Sequence, residues 1–239
     1  MDISSPQFWV AVLQIIAIDI VLGGDNAVVI ALACRRLPKE QRNQGIFWGV
    51  FGAIALRVIL ISFALTLLAI PFLKIIGALL LIWIGVKLLQ PEPENGTHEI
   101  NASTTLLGAI KTIIIADAVM SVDNVIAIAG AAKDSIGLVI FGLLISVPII
   151  VWGSKLVLRL MERFPLTIVV GAGLLGWIAG DMAVTDVITR DWVNDNASYL
   201  RWVMPVCMAM FVVTIGKWMA ARARIKQTSL IDLADNANK

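Results

Sequence analysis

The stretch DIVLGGDN, residues 19–26, lies inside a long apolar run and recurs as DAVMSVDN, residues 117–124. Extending both copies to Ala33 and Ala131 gives seven identities in fifteen positions at a constant offset of 98. Each copy places two carboxylates and an asparagine where an ionised group is costly, so these residues are expected to face a cavity, a partner or an ion path. The duplicated motif is the strongest indication of function in the chain.

The composition is that of a membrane protein. The chain has 239 residues, of which 59% are hydrophobic and only 15% charged, and its mean hydropathy is +0.89. Soluble domains carry about 25% charged residues. The net charge of +2 gives no reason to expect nucleic-acid binding, and the two cysteines, Cys34 and Cys207, suggest neither a disulfide framework nor a zinc site. The sequence therefore predicts an all-α, polytopic membrane protein.

Apolar runs long enough to cross a bilayer, which takes about 20 residues each, define the domain organisation. They predict seven transmembrane helices, at residues 8–33, 46–68, 71–90, 105–131, 136–160, 165–185 and 200–221. We expect residues 1–225 to form a single transmembrane domain, with a loop at 91–104 and a cytoplasmic tail at 226–239.

The loop charges predict the orientation. Basic residues cluster after the first, fifth and seventh predicted helices, for example Arg36, Arg159 and Arg222. Seven alternating helices place these clusters on one side of the membrane, which the excess of Lys and Arg identifies as cytoplasmic. The N-terminus is then outside and the C-terminus cytoplasmic. The acidic loop 91–104 fits this orientation less well, but acidic residues contribute little to the rule.

A second repeated segment extends the duplication beyond the Asp motifs. Residues 71–83 and 165–177 share six identities at an offset of 94, including the proline at the start and the tryptophan at the end. The repeat unit is therefore three helices, at residues 8–90 and 105–185, with the helix at 200–221 outside it. Because three is odd, the second copy enters the membrane from the opposite side. Such inverted repeats are typical of secondary transporters, whose sites lie near mid-membrane.

The first copy of the motif contains a predicted helix break. Residues six apart point about 120° apart on a regular helix, so Asp19 and Asp25 would diverge on an unbroken one. Unwinding at Gly23-Gly24 would bring both carboxylates to one cavity. The second copy has Ser121-Val122 instead, so a break there is less expected. The alternative is that Asp25 and Asp123 only cap downstream half-helices.

Four further residues are accessory candidates. Arg57, in the middle of the second predicted helix, could pair with Asp19 and Asp117 and neutralise the site. Ser121 adds a hydroxyl oxygen. Asp181 is either a gate or further ligand, or simply solvated at a helix end. Met120 is either a soft ligand or, the expected case, apolar packing.

The available ligand atoms indicate the class of ion. Carboxylate, amide, hydroxyl and backbone oxygens suit Mg²⁺, Ca²⁺ or Mn²⁺. Zinc and copper favour nitrogen and sulfur ligands, but the predicted spans contain no histidine, and Cys34 and Cys207 are not clustered. Crowded carboxylates in a low dielectric also hold protons more readily. The sequence therefore predicts exchange of a divalent cation for protons.

With Gly-Gly-Asp-Asn in one copy and Ser-x-Asp-Asn in the other, the paired motifs resemble the TerC family of bacterial membrane proteins, most closely its YjbE-type branch. The resemblance covers residues 8 to 220. It implies a seven-helix fold in the bacterial cytoplasmic (inner) membrane and manganese export, alongside an older association with tellurium resistance. Matching the motif position by position implies a metal site formed by Asp19, Asp25, Asn26, Asp117, Asp123 and Asn124.

The leading hypothesis is thus a secondary Mn²⁺ exporter coupled to protons, with the lipid bilayer as its surroundings and no resident cofactor. One alternative is a transporter of Ca²⁺ or another cation. Another is a non-transporting membrane scaffold in metal or tellurite stress, in which the Asp residues pair internally with Arg57. An enzyme is not expected, since neither a nucleophile–base constellation nor a metalloprotease motif occurs in the sequence.

Overall fold

The computed structural model describes residues 6–22, 24–63, 70–90, 105–132 and 136–237. In these residues the regular elements are all helices, which confirms the all-α prediction. They are α1 (Pro6–Leu22), α2 (Gly24–Cys34), α3 (Lys39–Ser62), α4 (Leu73–Leu89), α5 (Leu106–Ala132), α6 (Ile136–Arg163), α7 (Leu166–Thr185), α8 (Arg190–Asn196) and α9 (Leu200–Ala237).

Helix boundaries differ from the predicted ones where polar residues continue a helix beyond its apolar run. α3 begins at Lys39, seven residues earlier than predicted, and α9 continues to Ala237, well past residue 221. Both extensions contain Lys, Arg and Gln, which favour helix. The extension of α9 also contains three alanines and neither glycine nor proline. The short helix α8 was not predicted. The predicted loop 91–104 lies outside the described residues.

Among the described residues, four helices are long and apolar enough to cross a membrane: Lys39–Ser62, Gly137–Arg163, Leu166–Thr185 and Leu200–Ala223. α4 has 17 residues. α5 has 27 residues and carries Lys111, Asp117 and Asp123 within an otherwise apolar sequence. Many large apolar side chains are exposed, such as Trp152 at 68% and Leu107 at 77%. Such a surface is suited to lipid rather than water.

Helix α5 is the centre of the bundle, since it contacts α1, α2, α3, α4 and α6. Around it the packing is reciprocal: α1 and α2 pack on α6, and α3 packs on α5. α4 and α7 pack against each other, and α9 lies against both. The elements that carry the two Asp motifs, α1–α2 and α5, are therefore neighbours inside the bundle.

Glycines allow the reciprocal helix pairs to approach closely. At Gly49 on α3, a Cβ atom would lie 2.5 Å from Ile113 Cδ1 on α5. At Gly142 on α6, a Cβ atom would lie 2.6 Å from Ile15 Cγ2 on α1. In both pairs a fully buried isoleucine packs against a glycine from the other half of the chain. Small residues at such contacts are the usual means of packing helices in lipid, where burial of apolar surface adds little.

The closest helix contact joins α7 to α9. A Cβ atom at Gly180 would lie 2.5 Å from Pro205 Cα and 2.7 Å from the Met204 carbonyl oxygen. One turn earlier, a Cβ atom at Gly176 would lie 2.5 Å from the Met208 carbonyl oxygen. The obstructing atoms belong to the backbone, so a rotamer change cannot relieve the clash. These glycines thus hold the last helix against the bundle.

We expect Gly180→Ala to lower the free energy of unfolding by about 1–3 kcal/mol, because overpacking of this kind forces the backbones apart. Gly173→Ala on the same helix is the matched control, since its new Cβ would lie 3.4 Å from Val213 Cγ2, an ordinary contact. Denaturation in mixed micelles measures both. Equal stability of the two variants would contradict the close α7–α9 contact.

Candidate functional site: a buried arginine between two motif carboxylates

Arg57 lies between the two copies of the motif. From α3, its Nη1–H donates to Asp19 Oδ1 on α1, and its Nη2–H donates to Asp117 Oδ1 on α5 at 2.5 Å. Arg57 is 2% exposed, Asp19 1% and Asp117 7%. The ion pair that the sequence offered as an alternative for Asp19 and Asp117 is therefore present in the structure.

Two serine hydroxyls complete this network. Ser121, one turn after Asp117, accepts from Arg57 Nε–H at 3.0 Å and donates to Asp117 Oδ2 at 3.1 Å. Ser146 on α6 hydrogen-bonds to Asp19 Oδ2. Both serines are fully buried. We call Asp19, Arg57, Asp117, Ser121 and Ser146 the Arg57 cluster; in it each of the four carboxylate oxygens has a donor.

The Arg57 cluster contains one more carboxylate than guanidinium. With both carboxylates ionised its charge is −2 + 1 = −1. Burial of a charge is tolerated only when partners and hydrogen bonds replace water. Here the hydrogen bonds are complete while the charge is not balanced. The cluster therefore retains a net attraction for a cation or a proton.

Asp25 and Asn26 lie beside this cluster in the first turn of α2. The Asn26 backbone N–H donates to Asp25 Oδ1 at 2.9 Å. Acidic side chains commonly accept hydrogen bonds from backbone N–H groups at the start of a helix. The Asn26 side chain is 2% exposed, yet among the described residues its amide nitrogen and oxygen have no hydrogen-bond partner. A buried amide without partners is costly, so this group has ligand capacity that no described residue uses.

Asp25 is the third described carboxylate of the motifs. It is partly buried, and its electrostatic surroundings include both Asp117 and Arg57. Unlike Asp19 and Asp117, it has no ion pair with a basic side chain in the described part of the chain. Asp25 and Asn26 are thus the half of the first motif with fewer side-chain partners. The predicted unwinding at Gly23 lies outside the described residues.

The second copy of the motif lies on a single helix. α5 runs from Leu106 to Ala132 through Asp117, Ser121 and Asp123 without interruption. The second copy is therefore unbroken in the structure, as its Ser-Val pair led us to expect. The side chains of Asp123 and Asn124 lie outside the described part of the structure, so their predicted ligand role stays a prediction.

Two accessory candidates lie away from the Arg57 cluster. Asp181 is exposed on α7. Met120 is buried in an apolar cluster that also contains Ala116 and Met182. Within the described residues there is no group of three or more His, Cys, Asp or Glu side chains arranged to hold a metal ion. The described ligands are instead Asp19 and Asp117, held by Arg57, and the neighbouring Asp25 and Asn26.

Sequence reasoning missed Ser146, which contributes to the Arg57 cluster. A signal for it exists: Ser146 is a single polar residue inside the apolar stretch 138–151, two positions before Pro148. Its partner Asp19 lies 127 positions away in sequence, and no local pattern gives that register. The serine was therefore visible as unusual, but its role was not.

Asp186 is a further buried carboxylate, outside the two motifs. It follows the end of α7, and its side chain is fully buried. Its carboxylate accepts backbone N–H bonds from Phe72 at 3.2 Å, Lys74 at 3.1 Å and Ile188 at 3.1 Å. The first N–H groups of a helix have no internal partners, so Asp186 caps α4 and ties it to the end of α7.

Comparison with known proteins gives a consistent assignment. Residues 4–224 match the family described as "Integral membrane protein TerC family". The chain is 44% identical over 207 residues to "Uncharacterized membrane protein YjbE" of Bacillus subtilis (strain 168), covering 87% of this chain and 94% of that protein. It is 26% identical over 179 residues to "UPF0053 inner membrane protein YgdQ" of Escherichia coli (strain K12), covering 68% and 75%. No solved structure matches significantly. The chain therefore belongs to the TerC family of integral membrane proteins.

Proposed function

We propose that this protein is a secondary transporter that exports divalent cations, above all Mn²⁺, in exchange for protons. The observation that carries the proposal is the convergence of Asp19 and Asp117, one from each copy of the motif, on one buried point. Side chains that only pack helices together in a membrane do not need to be charged, whereas side chains that line the path of an ion do. The net negative charge of the Arg57 cluster adds the required attraction for a cation.

An inverted repeat of three plus three helices, with α9 as a seventh span, fits this proposal. In this scheme α1 and α2 together form the first span. The second helix of each half then packs against the first helix of the other half. The packing of α1 and α2 on α6 and of α3 on α5 supports that arrangement. So do the equivalent glycine–isoleucine contacts at Gly49 and Gly142.

The protein would lie in the bacterial cytoplasmic membrane, with its N-terminus outside. The basic residues of the α2–α3 connection support a cytoplasmic position there: Arg36 donates to the Lys87 and Gln90 carbonyl oxygens at the end of α4, and Arg42 pairs with Glu162 at the end of α6. These contacts gather the ends of three elements on one side, where the positive-inside rule expects Lys and Arg. The similar YgdQ of Escherichia coli is named as an inner membrane protein, which is consistent with this location.

Oxygen ligands favour Mn²⁺, Ca²⁺ or Mg²⁺ as cargo. The described candidates are the carboxylates of Asp19, Asp25 and Asp117 and the unpartnered amide of Asn26. The choice of Mn²⁺ among these ions rests on the TerC family resemblance. Ca²⁺ is the next candidate, since it accepts the same ligands.

Flux measurements in proteoliposomes test the proposal. We expect wild-type protein to move Mn²⁺ at least tenfold faster than protein-free vesicles, to move Zn²⁺ poorly, and to be accelerated by a pH gradient that drives protons the opposite way. Mn²⁺, Ca²⁺, Mg²⁺ and Zn²⁺ are compared at equal concentration with and without the gradient. Faster Ca²⁺ than Mn²⁺ flux would change the cargo, and a rate independent of the gradient would remove the proton coupling.

A second candidate function is a membrane scaffold without transport. The observation that favours it is the ion pair of Arg57 with Asp19 and Asp117, since internally paired carboxylates can be purely structural. On this hypothesis no ion of the panel crosses the membrane in either condition. The unpartnered amide of Asn26 argues for the transporter, because a scaffold has no use for a costly buried polar group.

A further inference from the structure

We propose that Arg57 is a tethered competitor of the transported cation, an inference that rests on the proposed function. Its guanidinium is bound to carboxylate oxygens of Asp19 and Asp117 that a divalent ion has to reach. Binding of the ion to these residues therefore requires Arg57 to leave at least one of them. Release of the ion allows the guanidinium to return.

The hydrogen bonding of the Arg57 cluster carries the first step. Arg57 donates from Nε, Nη1 and Nη2 to three different side chains, Ser121, Asp19 and Asp117. The remaining carboxylate oxygens accept from Ser121 and Ser146. Each carboxylate oxygen keeps a second lone pair, but a cation that bound there would lie directly beside the guanidinium of Arg57. Arg57 is the donor that carries the same sign of charge as the ion, so the two exclude each other electrostatically as well as sterically.

The contrast with the neighbouring residues carries the second step. Asn26 is as buried as Arg57, but its amide has no partner among the described residues. Within the same residues Asp25 bonds to backbone N–H groups, those of Asn26 and of Asp25 itself. These two residues can accept a cation without breaking an ion pair. The structure thus separates an open pair of ligands, Asp25 and Asn26, from a pair that Arg57 holds, Asp19 and Asp117.

The competition has a consequence for the cycle. Two bare carboxylates in a low dielectric would hold a divalent ion too tightly to release it, and without the ion they would repel each other. A guanidinium that returns removes both difficulties. A ligand shifts a conformational equilibrium only through a difference in affinity between states, and Arg57 supplies that difference within the chain.

The test compares Mn²⁺ binding in one background with and without Arg57. Asp117→Asn leaves Arg57 with Asp19 as its remaining carboxylate, and adding Arg57→Gln frees Asp19. We expect the double variant to bind Mn²⁺ at least tenfold more tightly than Asp117→Asn alone, as measured by equilibrium dialysis of purified protein against radioactive Mn²⁺. The double variant removes one positive and one negative group, so it keeps the wild-type charge and is expected to fold even where Arg57→Gln alone does not.

Arg42→Gln in the same Asp117→Asn background is the matched control. Arg42 pairs with the more exposed Glu162, so its loss removes one positive charge without touching the Arg57 cluster, and the Mn²⁺ affinity should stay unchanged. If the double variant binds Mn²⁺ no more tightly than Asp117→Asn while wild-type protein still moves Mn²⁺, the competitor role of Arg57 is overturned and the proposed function is not. An equal gain from Arg42→Gln would also overturn that role, since bulk charge would then explain the effect. Absence of wild-type flux would overturn the proposed function, and this inference with it.

Discussion

Asp25→Asn should reduce Mn²⁺ flux by about 100-fold or more while the fold stays intact. The substitution preserves the size of the side chain and removes one ligand charge, and even groups that only support metal ligands cost about 10–100-fold in affinity when changed. Stability should be little affected, because Asp25 is only partly buried and its carboxylate accepts from the backbone N–H groups of Asn26 and of Asp25 itself, as an amide oxygen can also do. Initial rates in proteoliposomes, with thermal unfolding in the same detergent, measure both effects.

Asp191→Asn is the matched control, because Asp191 is exposed on α8 and pairs with its neighbour Arg190. It makes the same chemical change outside the membrane-embedded network and should leave the flux at the wild-type rate. Asp123→Asn belongs in the same series, as the equivalent position of the second motif copy. Unchanged flux in both Asp25→Asn and Asp123→Asn would refute the paired-carboxylate mechanism.

Arg57→Gln should lower the free energy of unfolding by about 3–5 kcal/mol, the usual effect of removing one partner from a buried ion pair. Asp117→Asn should lower it by about 1 kcal/mol or less, near the net value of a single hydrogen bond. The difference follows from the charges. Loss of Arg57 leaves Asp19 and Asp117 buried together without a cation, whereas loss of the Asp117 charge leaves a neutral Asp19–Arg57 pair.

Denaturation of the two variants in mixed micelles, in metal-free buffer, measures this asymmetry. The double variant Arg57→Gln/Asp117→Asn should be more stable than Arg57→Gln alone, because it removes one of the two repelling carboxylates. If Asp117→Asn proved as destabilising as Arg57→Gln, the cluster would have to be regarded as a balanced network in which each member is equally required.

The sequence predicted the helical class, the apolar segments and the residues that approach each other at the Arg57 cluster. It could do so because charge in an apolar run is rare, and because a duplicated motif indicates related positions in space. Asp19, Asp117 and Arg57 are visible in this way without any coordinates. The alternative of an ion pair was visible for the same reason: a buried arginine needs a carboxylate.

The sequence could not show which oxygen binds which donor. Ser146 reaches Asp19 through the register between α1 and α6, and Asp186 reaches the start of α4 from the end of α7. Both contacts depend on the register between helices that are far apart in sequence. Close glycine contacts set that register. Helix ends were also missed where polar helix-forming residues extend a span, as at Lys39 and beyond residue 221. Hydropathy reports the lipid-facing length of such helices and not their full length.

The residues of the Arg57 cluster are synthesised in a fixed order. Asp19 and Arg57 both belong to the first 62 residues, whereas Asp117 is on α5 and Ser146 on α6. A ribosome therefore delivers the arginine together with one carboxylate, and delivers the second only after the following helices have been made. Because an arginine alone is costly within the bilayer, the early pair lets α3 remain inserted while it waits for its main packing partner, α5. The surplus negative charge of the Arg57 cluster thus arrives with α5, after Asp19 and Arg57 have already been inserted.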